Sequence, residues 1–226
     1  MAGQRTELTA NNITVAGYLS VPADGGPGVI VLQEWWGLVP HIEAVADRFA
    51  TAGYTAFAPD LYDGRATTSP DEAGKLMMAL NIATTAERLR AVVQALLAHP
   101  ATQGHPKVGV VGFCMGGQLA LYAACENPEI GACVDFYGIH PNVKPDFAKL
   151  SAPVLGLFAE NDAFVNHEAI AALRNELDRH GKVYEFHVYP GTSHAFFNDT
   201  RPEVYHPDAA YDAWDRVQRF FKTHLP

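Results

Sequence analysis

The run Lys107-Val108-Gly109-Val110-Val111-Gly112-Phe113-Cys114-Met115-Gly116-Gly117-Gln118-Leu119-Ala120-Leu121 changes character twice. A short apolar stretch of strand type, 108–113, gives way to a glycine-framed turn, and the turn to small and apolar residues at helical spacing from Gly117 onward. Glycine stands two residues before and two after Cys114, which is the strand–turn–helix arrangement of a nucleophile elbow, with cysteine where serine is commoner. Small flanking residues are needed there because the central residue takes a strained backbone conformation while strand and helix close around it. The turn also puts Cys114 at the start of a helix, where the dipole favours a thiolate. Most free cysteines are simply small buried hydrophobes. That reading suits Cys125 and Cys133, which fall inside helix and strand patterns, but it leaves the glycines around Cys114 unexplained.

Outward from this turn the chain alternates strand and helix. Further continuous apolar runs lie at 28–32, 55–58, 132–136 and 153–158, with a last strand at 183–189, and such runs suit strands buried on both faces. Between them, helical periodicity appears at 42–52, 83–97, 117–126 and 168–179, and a final helix at 209–224. Two alternating segments, 6–10 and 13–21, flank Asn11-Asn12 and read as an opening antiparallel hairpin. The pattern predicts an α/β fold: one domain over 1–226 with a doubly wound, mostly parallel sheet of about eight strands and helices on both faces. The segments 62–70 and 191–207 are read as long irregular stretches overhanging the carboxyl ends of the strands, where ligands bind in such folds.

Composition narrows the function. With 48% hydrophobic and 18% charged residues the chain is that of a globular protein. A net charge of -9, with 16 scattered lysines and arginines, argues against nucleic acid or an anionic membrane as partner. The opening Met1 to Glu7 lacks the apolar stretch of an export signal, and no run reaches the ~18 apolar residues of a membrane span. A cytoplasmic location is expected. Three cysteines without paired CxxC spacing point to reduced thiols, with neither a disulfide framework nor a zinc site.

A thiol at its reference pKa of ~8.5 is mostly protonated at neutral pH, so a nucleophilic Cys114 needs a base. In a hydrolase built on this elbow the partners follow as acid, then histidine, on loops after later strands. Asp162 lies in Ala159-Glu160-Asn161-Asp162 after the 153–158 strand, and His194 in Gly191-Thr192-Ser193-His194 after the last strand. Glu160 and Asp135 are rival acids, since loop acids also serve as turn-formers and caps. The oxyanion of the reaction would be held by the backbone N–H of Met115 and of Trp35, the latter in the loop after the 28–32 strand. The aromatics Trp36, Phe196 and Phe197 are expected around the nucleophile, lining a pocket for a small ester or lactone.

Gln33-Glu34-Trp35-Trp36-Gly37, Ala58-Pro59-Asp60-Leu61-Tyr62, the Cys114 turn, Glu160-Asn161-Asp162 and Ser193-His194-Ala195-Phe196 together resemble the dienelactone hydrolases, the carboxymethylenebutenolidase-like branch of the α/β hydrolases. The resemblance covers essentially the whole chain. It implies an ester or lactone hydrolase with a Cys114, Asp162, His194 triad, no metal or organic cofactor, and Glu34 paired with the thiol at rest. Family members also bind a substrate carboxylate with two arginines. Asn198 stands at one of these positions, and residues 67–76, where the other would fall, contain no arginine. Dienelactone itself therefore does not follow as the substrate. A broad carboxylesterase or thioesterase would use the same machinery, and a redox sensor or ligand-binding protein could use the same activated thiol. Monomer is the default state for the fold.

Overall fold

The period-2 pattern at the start of the chain becomes a hairpin of β1 (Gln4–Ala10) and β2 (Ile13–Ser20). Asn11 and Asn12 turn it with φ of 52° and 60°, the left-handed pair that a two-residue turn requires. These elements are seen in a computed structural model that describes residues 3–225; Met1 and Ala2, which open the segment read for an export signal, and Pro226 lie outside it. The apolar runs form β3 (Gly28–Leu32), β4 (Thr55–Pro59), β5 (Val108–Phe113), β6 (Ile130–Phe136), β7 (Val154–Asn161) and β8 (Tyr184–Ser193). The eight strands make one sheet in the order β1-β2-β4-β3-β5-β6-β7-β8, antiparallel at β1-β2 and β2-β4 and parallel from β4 to β8.

Among the described residues six α-helices accompany them: α1 (Pro40–Thr51), α2 (Pro70–Ala79), α3 (Ile82–Ala98), α4 (Met115–Glu126), α5 (His167–Arg179) and, after the last strand, α6 (Pro207–His224). The sheet is covered on both faces, and alternate residues of each central strand show it. Val29 and Val31 of β3 and Val111 and Phe113 of β5 join Ile42, Phe49 and Phe221 of α1 and α6 in one core. Ile30 and Leu32, with Val108 and Val110, join Leu89, Val92 and Leu119 of α3 and α4 in the other. Continuous apolar strands are the sequence signature of this two-sided burial. This is the α/β-hydrolase architecture. Among the described residues no helix is long and apolar enough to cross a membrane.

Two segments differ from expectation. α2 was not anticipated, because it buries just Ala73 and Leu76. Its start was nevertheless written locally: Ser69 Oγ accepts from Glu72 N at 3.5 Å, Pro70 opens the helix, and Asp71 and Glu72 face its dipole. The stretch from Gly191 is likewise not irregular at its start, since β8 continues through Ser193 with a register shift against β7. His194 therefore stands directly on the end of a strand.

Candidate active site

The strand order reverses direction at β3, whose neighbours are β4 and β5, and ligands in such sheets bind outside the strand carboxyl ends at that point. Cys114 follows β5 there. Its backbone, φ 54° and ψ -118°, lies where side chains are strained. Close approach explains the glycines: a Cβ on Gly112 would strike the Gly116 carbonyl, and one on Gly116 would strike the carbonyls of Leu32 and Gln33. The turn is pinned to the next strand by Cys114 N–H donating to Phe136 O at 3.0 Å, and by Ile139 N–H donating to Cys114 O at 3.1 Å.

Three sequence-assigned side chains converge. His194 Nδ1 lies 2.7 Å from Asp162 Oδ2, while Asp162 Oδ1 accepts from the N–H groups of Phe164 (2.8 Å) and Val165 (3.0 Å). Burial opposes the charge on Asp162, but His194 and the two N–H groups outweigh it and hold the carboxyl below its usual range. For His194, burial pushes the imidazole down; hydrogen bonds to Asp162 and Cys114, together with their charges, overcome this and raise it to about 10. The rival acids are elsewhere. Glu160 accepts from Gly191 N at the surface, and Asp135 is sealed beneath α4, its carboxyl pushed up to about 7 by burial. All three thiols are buried, and burial pushes Cys125 up to about 12 and Cys133 well up too. Cys114 lines a cavity of about 1170 Å³, together with Trp35, Trp36 and His194.

Met115 is the first residue of α4, so its N–H has no acceptor within the helix. Trp35 lies in a turn closed by Gly37 N–H to Glu34 O at 3.4 Å. The contact of Gly116 with the end of β3 brings these two segments together beside Cys114.

The remaining assignments need correction. Phe196 and Phe197 do not line the cavity. Both are fully buried, and Phe197 stacks on Phe113 at 5.3 Å and leans on Phe136 at 4.8 Å. Ala195, at φ 67°, turns the chain inward immediately after His194 and carries the two rings into the core. Asn198 is also buried rather than pocket-lining. Its Oδ1 accepts from Thr200 N (3.1 Å) and Thr200 Oγ1 (2.7 Å), which leaves Nδ2 to donate to Glu34 Oε2 at 2.8 Å. Glu34, 1% exposed, thus finds a hydrogen-bond partner in Asn198.

Asn198→Ala is expected to cost roughly 2–3 kcal/mol, because it leaves a buried carboxylate without its donor, and to lower Tm by about 5–10 °C. A thermal melt with a change under about 1 °C would show that the amide carries no such weight.

Sequence reading missed Tyr137 and Tyr62. Tyr137 closes β6 with φ 43°, is fully buried, and sets its ring 4.9 Å from that of His194. Tyr62 donates its hydroxyl to Met115 Sδ at 3.1 Å and feels the charge of Cys114. The available signal was position, since both follow the carboxyl end of a parallel strand.

The family model of the dienelactone hydrolases matches residues 15–225. The chain belongs to the dienelactone hydrolase family. It is 40% identical over 230 residues to the protein usf of Aquifex pyrophilus, covering 99% of both chains. It is 36% identical to the "Putative carboxymethylenebutenolidase" of Aquifex aeolicus, again covering 99% of both. Among solved structures, that of the "Putative Dienelactone Hydrolase" of Klebsiella pneumoniae superimposes with a TM-score of 0.87 at 30% identity, covering 98% of this chain and 99% of the other. As a member of the dienelactone hydrolase family, the protein is a carboxylic ester hydrolase.

Proposed function

We propose that the protein hydrolyses a small-molecule ester or lactone through a thioester on Cys114, with His194 as proton carrier, Asp162 as its orienting acid, and the N–H groups of Trp35 and Met115 as oxyanion donors. The observation that carries this reading is the continuous chain from Asp162 Oδ2 through His194 to Cys114 in the wall of the cavity.

In this reading His194 takes the Cys114 proton, which gives the attacking thiolate and an imidazolium. The thiolate attacks the carbonyl carbon, and the oxyanion that forms meets the two backbone donors. Collapse breaks the C–O bond as the imidazolium gives its proton to the departing alkoxide, leaving a thioester and a neutral imidazole. His194 then takes a proton from water, whose oxygen attacks the thioester, and the thiolate departs as the carboxylic product is released. In a lactone the leaving alkoxide stays tethered to the acyl group, so a single hydroxy acid results.

No arginine pair awaits a substrate carboxylate. Asn198 is committed to Glu34, and α2 offers no arginine, so the reading favours esters without an acidic group beside the scissile bond. Rapid mixing with p-nitrophenyl acetate followed by intact-mass spectrometry is expected to show an added acetyl group that maps to Cys114 and is released by hydroxylamine. Turnover without any adduct on Cys114, or an adduct on another residue, would remove the thioester mechanism.

A further inference from the structure

The cavity is larger than hydrolysis of a small lactone requires. At about 1170 Å³ it exceeds the roughly 300–1,000 Å³ usual for small-molecule sites. It also extends beyond the residues of the proposed mechanism. From Cys114 and His194 it continues between α5 and the 138–147 segment that follows β6. Val165, Ile170 and Phe158, a small apolar cluster of their own, line it, as do Val143 and Phe147 from the opposite side.

The wall contributed by α5 consists of Ala169, Ile170, Ala172 and Leu173, with Glu176 one turn further on. Ala169 and Ala172 are exposed, so short side chains hold this channel open where larger ones would close it. From Ala169 to Glu176 the helix advances about 10 Å, room for an extended alkyl chain of roughly eight carbons. Phe164, 60% exposed, stands at the entrance with its ring 5.2 Å from that of His194, an apolar group in water that a bound chain would cover.

The charged side chains on the walls are spent or peripheral. Arg201 gives Nε to Glu203 at 2.8 Å and lies over Trp36, Glu176 accepts from Arg179 at 2.6 Å, and Lys144 is exposed.

We propose that this arm seats an extended apolar chain of about eight carbons, on the acyl or the alcohol side of the scissile ester, so that the substrates are medium-chain esters rather than small charged lactones. The inference rests on the hydrolase reading above for its chemistry, though not for the arm itself.

Burying a methylene is worth about 0.8 kcal/mol, roughly three- to fourfold in kcat/KM for each one seated. Two series are measured on the intact protein: p-nitrophenyl alkanoates from acetate to decanoate, and alkyl acetates from ethyl to decyl. One of them is expected to gain at least about 30-fold between two and eight carbons and then level off. Ala172→Trp, which fills the channel from an exposed helical position, is expected to reduce the octyl-to-ethyl ratio about tenfold or more.

A flat or falling dependence in both series, or an unaltered ratio in Ala172→Trp, overturns the proposal. A separate titration of 2-decanone and acetone into the Cys114→Ala protein distinguishes the two readings. If no ester of any length is hydrolysed yet 2-decanone binds and Ala172→Trp abolishes the binding, the hydrolase reading fails and the arm stands. If 2-decanone binds no better than acetone, the arm fails whatever the esters do.

Discussion

Replacement of Cys114 by alanine is expected to lower kcat/KM on small aryl esters by roughly 10⁴-fold or more, with Tm shifted by less than about 3 °C. The fold should tolerate the change because alanine keeps the Cβ, and hence the same backbone strain at φ 54°. What is lost is the sulfur. Its hydrogen bond and charge also help to raise His194 to about 10, so the histidine loses a partner in the same stroke.

Cys114→Ser separates nucleophile from geometry. A hydroxyl is a far weaker acid than a thiol and must surrender its proton as it attacks, in a site whose His194 has lost the sulfur's share of its support. Serine is therefore expected to recover less than about one hundredth of the wild-type rate. Retention of activity within about tenfold in the alanine variant would show that the elbow is not the reacting centre.

Much of the architecture was legible because it follows from local pattern. Val29, Ile30, Val31 and Leu32 feed two different cores, and that demand leaves no polar residue in β3. The Cys114 turn was legible because its glycines answer contacts within a few residues or with the adjacent strand. Asp162 and His194 were legible as ends of strands in a fixed order. α2 was not, since a helix that buries two side chains has almost no apolar periodicity and is marked by its cap alone.

The site's inner surroundings were less legible still. Phe196 and Phe197 read as pocket aromatics, and it is the positive φ of Ala195 that sends them into the core. The partnership of Asn198 with Glu34 spans 164 residues and rests on a turn in which Thr200 fixes the amide. The arm between α5 and the segment after β6 is a gap between elements, and no single stretch of sequence encodes a gap. The alanines at 169 and 172 read there as unremarkable helix formers.

Asp162→Asn should act through His194, with kcat falling by roughly 10³- to 10⁴-fold. An amide in place of the carboxylate can present its NH₂ to Nδ1 and favour the wrong tautomer, and it removes the charge that holds the proton. The pH profile separates this from simple distortion. In the wild type the raised imidazole stays protonated through neutrality, so the alkaline limb of kcat/KM should fall towards about 10. In the variant Cys114 alone is left to oppose burial, and the limb is expected to move down by at least about one pH unit.

Stability follows the same linkage. The folded His194 binds its proton more tightly than the unfolded chain, whose histidine titrates near ~6.5, so its contribution is complete below that pH and disappears as pH rises through about 10. Asp162 is depressed, so its contribution is complete above roughly 4 and is lost as pH falls through the folded value. The Tm difference between wild type and Asp162→Asn should therefore be greatest between about pH 4 and 6.5 and shrink towards pH 10. A difference that stays constant from pH 5 to 10, alongside an unmoved alkaline limb, would mean that Asp162 merely shapes its loop through the Phe164 and Val165 N–H groups.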